Sequence, residues 1–283
     1  MRVRFWGVRG SVAVPSGRML GYGGNTSCVE VTLADGTEII LDAGTGIREL
    51  AAARTSHASS VQILLTHLHL DHIQGLLFFG PFFDPANEIT VYGPPAPGPN
   101  LDQRLARYLS APLSPVDLRE LPAQVEFAPC PREEWEVGGA RVQAATVAHR
   151  GVTLGYRITE GDTTLCYLPD HEPALGAPPL TEADPGWISG IGLADGATAL
   201  IHDAQYADDE YPNHVGWGHS RVSDAVDFAL RADAQRLILF HHDPGHDDTT
   251  LDDLGRVAQA SWERAGRDPA TLSMAAEGTT LEL

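Results

Sequence analysis

"ILLTHLHLDHIQG", residues 63–75, decides the reading of this chain. Ile63, Leu64 and Leu65 form a short apolar run of the kind that makes a buried strand, and His67 to His72 break it with three histidines and an aspartate. The polar cluster therefore belongs at the C-terminal end of a strand, where the chain turns. A turn satisfied by backbone and water accounts for any one of these histidines, but not for HxHxDH as a set. Alternation puts His67 and His69 on one side of an extended segment, and Asp71 and His72 come round the following turn. That arrangement offers nitrogen and oxygen donors to two neighbouring ions. A zinc ion takes four ligands, so the cluster requires others from elsewhere.

The rest of the chain supplies them in the same setting. "ATVAHR" ends a strand at His149, "TTLCYLPDH" ends one at Asp170, and "RLILFHHD" ends one at His241 and His242. A carboxylate can bridge two ions, which suits Asp170 to the position between them. Other strand-like runs are "RVRFWGV", "SCVEVTLA", "TEIILDAG", "EITVYGP", "VTLGYRITE" and "TALIHDAQY", with Asp35-Gly36 as a hairpin turn. Helices are expected at 46–56, 101–111 and around 221–233. Two packed sheets flanked by helices would collect the His- and Asp-bearing strand ends on one edge. The Pro/Gly-rich piece "GPPAPGPN" (93–100) has strands of the same character on both sides, so it reads as a surface loop in one domain spanning 1–283 rather than a linker. The run "LLFFGPFFD" (76–84) reads as a buried segment, with a substrate cleft or a homodimer surface as alternatives.

Composition narrows the partners. With 38 acidic and 19 basic residues the net charge is −19, which repels long polyanions and disfavours general binding to duplex nucleic acid. Cys28, Cys130 and Cys166 are too few and too scattered for a disulfide framework. The N-terminus enters strand-like sequence directly and no run reaches the roughly 20 apolar residues of a membrane span. The expectation is a soluble cytoplasmic protein with no membrane association.

The motifs "YGGNTSCVEV", "ILDAGTGIREL", "THLHLDHIQG", "TVAHR", "YLPDH", "WGHS" and "LILFHHD" together resemble the metallo-β-lactamase superfamily over nearly the whole chain, and within it the ribonuclease Z-like and cyclic phosphodiesterase branch. The resemblance implies an α/β fold, the four-layer αβ/βα sandwich, with a dinuclear metal site at one edge of the sheets. Carried over residue by residue, it implies that His67, His69 and His149 hold one ion, that Asp71, His72 and His241 hold the other, and that Asp170 bridges them. It also implies a general-acid histidine 22 positions before the last ligand. His219 stands at that distance from His241, which selects His241 over His242.

A phosphodiesterase acting on a small cyclic or nucleotide-like anionic diester is then the leading function. Two divalent ions, zinc by ligand type with Mn2+ or Fe2+ as alternatives, would bring a bridging water from a pKa of 15.7 toward roughly 7 and so supply hydroxide. Asp71 would orient that water and His219 would protonate the leaving alkoxide. Ser220 is expected to cap the following helix. A ribonuclease Z-like nuclease and a lactonase or β-lactamase-type hydrolase are the alternatives, the latter without a fixed need for His219. His202, Asp203 and Asp42 are candidates for orienting ligand histidines, with structural satisfaction the competing reading for His202 and Asp203. Asn25 and Thr26 read as backbone devices or site-facing groups, and Arg9 and Arg150 as surface residues or phosphate contacts. His171, His214, His242 and His246 read as structural or rim residues, and His57 as surface.

Overall fold

The computed structural model describes residues 1–54, 60–173, 175, 180 and 182–283. Two seven-stranded sheets pack face to face. Across the first run β14 (Thr280–Glu282), β1 (Arg2–Gly7), β2 (Cys28–Thr32), β3 (Glu38–Leu41), β4 (Ser60–Leu64), β5 (Glu88–Gly93) and β6 (Gln124–Pro129). Across the second run β7 (Trp135–Val137), β8 (Ala140–Val147), β9 (Thr153–Glu160), β10 (Thr163–Leu168), β11 (Ala199–Asp203), β12 (Leu237–Phe240) and β13 (Leu272–Met274). In that order each sheet has three antiparallel pairings followed by three parallel ones.

The strands with parallel neighbours explain the apolar runs in the sequence. β12 (LILF) and β11 (ALIHD) are buried at every position, as strands covered on both faces must be. Val3, Val29, Tyr156, Tyr167 and Phe240 fill the layer between the sheets. The outer faces are covered by α1 (Ile47–Ala53) and α3 (Leu101–Leu105) on the first sheet and by α4 (Ile191–Ala194), α5 (Val222–Arg231) and α6 (Asp248–Arg264) on the second. A short α2 (Leu70–Ile73) follows β4 directly. The layers are helix, sheet, sheet and helix, the sandwich the motifs implied. Among the described residues no helix is long and apolar enough to cross a membrane.

Several local expectations are corrected. α3 stops at Leu105 instead of running to residue 111. Residues 94–100 connect β5 to α3, Gly93 being the last residue of the strand. The 76–84 run folds into two 3-10 turns that bury Leu76, Phe79 and Phe82 while Phe78 and Phe83 face solvent. Ser220 does not cap α5: Arg221 occupies that position without a side-chain bond, and Ser220 Oγ donates to the His171 carbonyl at 2.6 Å. His57 lies outside the described residues.

Candidate metal centre

The chemistry collects where strands of both sheets end on one edge. β4 delivers His67, His69, Asp71 and His72, while β8, β10 and β12 of the opposite sheet deliver His149, Asp170 and His241. Sharp reversals bring them there. Ser11, Asp42 and His241 have φ of 61°, 59° and 61°, three of the five non-glycine residues with positive φ among those described. Such backbone is strained for residues with a Cβ and recurs at functional sites. Gly10 lets His241 in: a Cβ there would lie 2.4 Å from the imidazole Cε1.

Asp170 sits between two groups of donors. Its Oδ1 lies 3.0 Å from His72 Nε2 and 3.3 Å from His241 Nε2, and its Oδ2 lies 3.7 Å from His67 Nε2 and 3.6 Å from His149 Nε2. On the Oδ1 side, Asp71 Oδ2 is 3.4 Å from His72 Nε2 and 3.3 Å from His241 Nε2, and those two nitrogens are 3.4 Å apart. On the Oδ2 side, His69 Nδ1 lies 3.4 Å from His149 Nε2. Donors held about 2.0–2.1 Å from a tetrahedral ion are separated by roughly 3.3–3.4 Å, so the first group matches one coordination sphere and the second is slightly wider.

The hydrogen bonds at the back of the rings decide which nitrogens face inward. His72 Nδ1 binds Asp42 Oδ2 (2.8 Å), His149 Nδ1 binds the Gly218 carbonyl (2.7 Å), and His241 Nδ1 binds Gln205 Oε1 (3.0 Å). Each acceptor fixes a proton on Nδ1 and leaves the Nε2 lone pair toward the cluster. For His67 the relay is longer. Thr66 Oγ1 donates to Asp42 (3.0 Å) and accepts from His67 Nδ1 (3.0 Å). The buried His67 Nε2 and Asp170 Oδ1 are left without hydrogen-bond partners, which is costly unless a cation takes them. The residues present therefore fit a metal.

The electrostatics agree. Burial opposes ionisation of Asp170, yet the charges of His241, His72 and His67 outweigh it and hold the carboxyl well below the carboxylate range. Asp71 is held down in the same way by His72 and His241. Burial also works against a charged His72, but Asp170, Asp42 and Asp71 overcome it and raise that imidazole well above its ordinary value. His67 is pushed down, first by burial and then by the charge of His72. The carboxylates stay ionised and attract positive charge, whether proton or metal.

His219 stands beside these groups. Its Nδ1 binds Asp203 Oδ2 at 2.7 Å, and its ring stacks on His241 with centroids 4.9 Å apart. Asp203 is fully buried and also accepts the His171 and Gln205 amides, both at 3.0 Å. Burial drives its carboxyl well above the ordinary range, and burial likewise lowers His219. Asp203 thus orients His219 rather than any ligand histidine. His202 is structural: its Nδ1 binds the Asp203 carbonyl and its Nε2 meets His171 Nδ1.

The remaining candidates sort plainly. Asp42 serves His72, as expected. Thr26 pairs with Thr45, and Asn25 is tied to Glu277. Arg9 is neither a surface residue nor a phosphate contact: it is buried and donates to the carbonyls of Gly23, Asp243 and His246. His242 turns away to the Ala275 carbonyl, leaving His241 at the cluster. His246 binds Glu210 and His214 stacks on Tyr206. Arg150 Nε donates to the Gly216 carbonyl. The sequence reading missed Thr66, Gln205 and Ser11, whose amide donates to Asp71 Oδ2 at 2.7 Å. Gln205 could have been found, since alternation from Asp203 along "IHDAQ" puts it on the same side.

The model of the Beta-lactamase superfamily domain matches residues 37–242. A protein named ribonuclease Z from Natronomonas pharaonis is 28% identical over 85% of this chain and 86% of its own length, and one of the same name from Myxococcus xanthus is 27% identical over 87% and 88%. Among solved structures, the metallo-beta-lactamase fold protein YhfI from Bacillus subtilis covers 100% of this chain and 99% of its own at a TM-score of 0.71 and 18% identity. A diphosphatase from the PhnP family covers 100% and 97% at a TM-score of 0.70 and 19% identity. At these identities the two structures show a shared fold.

Proposed function

The chain belongs to the beta-lactamase superfamily and is a hydrolase of the metallo-beta-lactamase fold, and on that footing we propose that it is a phosphodiesterase using two divalent ions, zinc by ligand type, on a small cyclic or nucleotide-like diester. His67, His69 and His149 would hold one ion, Asp71, His72 and His241 would hold the other, and Asp170 lies between the two groups of donors. When bound, the ions supply an acidified water as nucleophile and neutralise charge on the phosphoryl group. Asp71 orients the attacking water. His219 gives its Nε2 proton to the departing alkoxide, and Asp203, bonded to Nδ1, fixes the tautomer and stabilises the imidazolium that precedes transfer.

The observation that carries this reading is the His219–Asp203 couple at 2.7 Å: His219 lies within 4.8 Å of donor atoms of Asp170 and His241, and its bond to Asp203 is what sets it apart from them. The alkoxide leaving a phosphodiester needs a proton, and His219 is the group placed to give it. Similarity to proteins named ribonuclease Z along most of the chain favours a second reading, an RNA-processing nuclease. The charge balance opposes it: all 19 basic residues are arginines, and the net charge of −19 repels a long polyanion.

The test compares wild type with His219→Ala for metal content by elemental analysis and for hydrolysis of bis(p-nitrophenyl) phosphate, ethyl p-nitrophenyl phosphate, a cyclic nucleotide, a lactone, a β-lactam and a transfer RNA precursor. Diesterase activity that falls about 10²- to 10⁴-fold on the alkoxide-releasing cyclic substrate, with metal retained, is the expected result. Two bound ions with activity only on lactones or β-lactams would overturn it, and cleavage of the RNA precursor alone would establish the nuclease.

A further inference from the structure

Several large apolar side chains that stand in solvent belong to segments running through the centre. Leu70, between His69 and Asp71, is 56% exposed; Trp217, two residues before His219, is 54% exposed; Val152, three after His149, is 46% exposed. Val12 is also exposed, next to the Ser11 whose amide binds Asp71. With successive Cα atoms about 3.8 Å apart, the Cα of each lies within about 4 to 11 Å of that of His69, His219, His149 or Ser11.

The loop that carries Trp217 is held from both sides. Glu172, 1% exposed and two residues past Asp170, accepts the Gly216 amide at 2.8 Å, the Gly218 amide at 2.7 Å and the Tyr211 hydroxyl at 2.8 Å. The carbonyls of the same two glycines accept Arg150 Nε at 3.0 Å and His149 Nδ1 at 2.7 Å. Both glycines have positive φ, 80° and 95°, and a Cβ at Gly218 would meet His149 Nδ1 at 2.4 Å. The backbone on either side of Trp217 is thus committed inward. Behind the indole, His214 meets it edge-on at 4.9 Å and itself stacks on Tyr206 at 4.3 Å. An exposed indole, met edge-on by His214 and carried on a fixed loop two residues from His219, has the attributes of a stacking surface.

We propose that Trp217 is a specificity-determining residue that stacks on the nucleobase of the substrate, so that the diester class taken is that of a nucleoside. This rests on the phosphodiesterase reading and narrows it. Base-on-aromatic stacking corresponds to a factor of about 5 to 150 in apparent affinity.

The experiment uses the metal-loaded full chain and two diesters with the same leaving group, p-nitrophenyl thymidine 5′-phosphate and methyl p-nitrophenyl phosphate. The kcat/KM ratio of thymidine to methyl ester is expected to be about 5 to 150 in wild type, to approach unity in Trp217→Ala, and to persist in Trp217→Phe. A ratio near unity in wild type, or an equal ratio in Trp217→Ala, overturns the proposal. Equilibrium binding of thymidine 5′-monophosphate against methyl phosphate is read in the same proteins. If neither ester is hydrolysed, the phosphodiesterase reading falls, and the binding ratio alone decides stacking: equal affinities in wild type overturn it, and a Trp217-dependent preference for the nucleotide sustains it.

Discussion

Two buried carboxylates, one at the end of each sheet, do opposite work. Asp42 follows β3 and takes the Thr66 amide (2.7 Å), the Thr66 hydroxyl (3.0 Å), His72 Nδ1 (2.8 Å) and the Tyr167 hydroxyl (3.0 Å). Asp203 ends β11 and takes two amides and His219 Nδ1. Asp42 is saturated from both sheets, and the imidazole it holds is a metal-ligand candidate with no exposed surface. Asp203 holds an imidazole with a side chain 12% exposed. Saturation fixes a ring; a less fully paired carboxylate can answer the movement of a proton. On the proposed reading the first site would serve metal retention and the second turnover.

The largest effect tests what the two halves share. Asp170→Ala removes the residue that reaches both donor groups, so metal content and hydrolysis should fall to background together, as elemental analysis and turnover of the same preparation would show. Retention of two ions would remove Asp170 from the bridging position. Asp203→Asn breaks the symmetry next: kcat for alkoxide release is expected to fall about 10²- to 10⁴-fold while metal affinity stays unchanged. Loss of metal in this variant would erase the distinction between the carboxylates. Asp42→Asn should do the reverse and weaken metal binding about 10- to 100-fold, measured by competition with a chelator, with kcat recovering at saturating metal.

How much of this division was legible in the sequence depends on which interaction makes each part. The ligand candidates were readable because each stands where an apolar strand gives way to a polar turn, a local pattern visible at His67, His149, Asp170 and His241 alike. The four layers followed from the family motifs. What escaped were long-range partners: Ser11 with Asp71 and Glu172 with the Gly216 and Gly218 amides join segments with no shared local pattern. α6, the longest helix among the described residues, also escaped. It buries Leu251, Gly255, Ala258 and Trp262, and two of those four are too small to mark an apolar stripe. The same smallness admits Met274, whose Cγ would be 3.0 Å from a Cβ at Gly255. The edge strands β6 and β14 escaped too, and neither contains a fully buried residue.

The smallest effect probes the layer behind Asp203. Burial lowers the His202 imidazole from an ordinary 6.5 to about 4. The unfolded chain therefore takes up a proton near pH 6.5 that the folded chain refuses until about 4, so this residue's contribution is present above pH 6.5 and is lost as pH falls toward 4. Over that window the loss is about 3 kcal/mol. His202→Phe keeps a ring against Phe228, whose centroid lies 4.7 Å from the imidazole, but cannot titrate. Urea midpoints of metal-free wild type and variant across pH 7 to 4.5 should show a shallower acid decline in the variant, whatever its stability at pH 7. Parallel declines would mean that His202 already takes its proton in the folded state. The ring would then carry charge directly behind Asp203, and the contrast between a fixed carboxylate and a responsive one would have to include that proton as well.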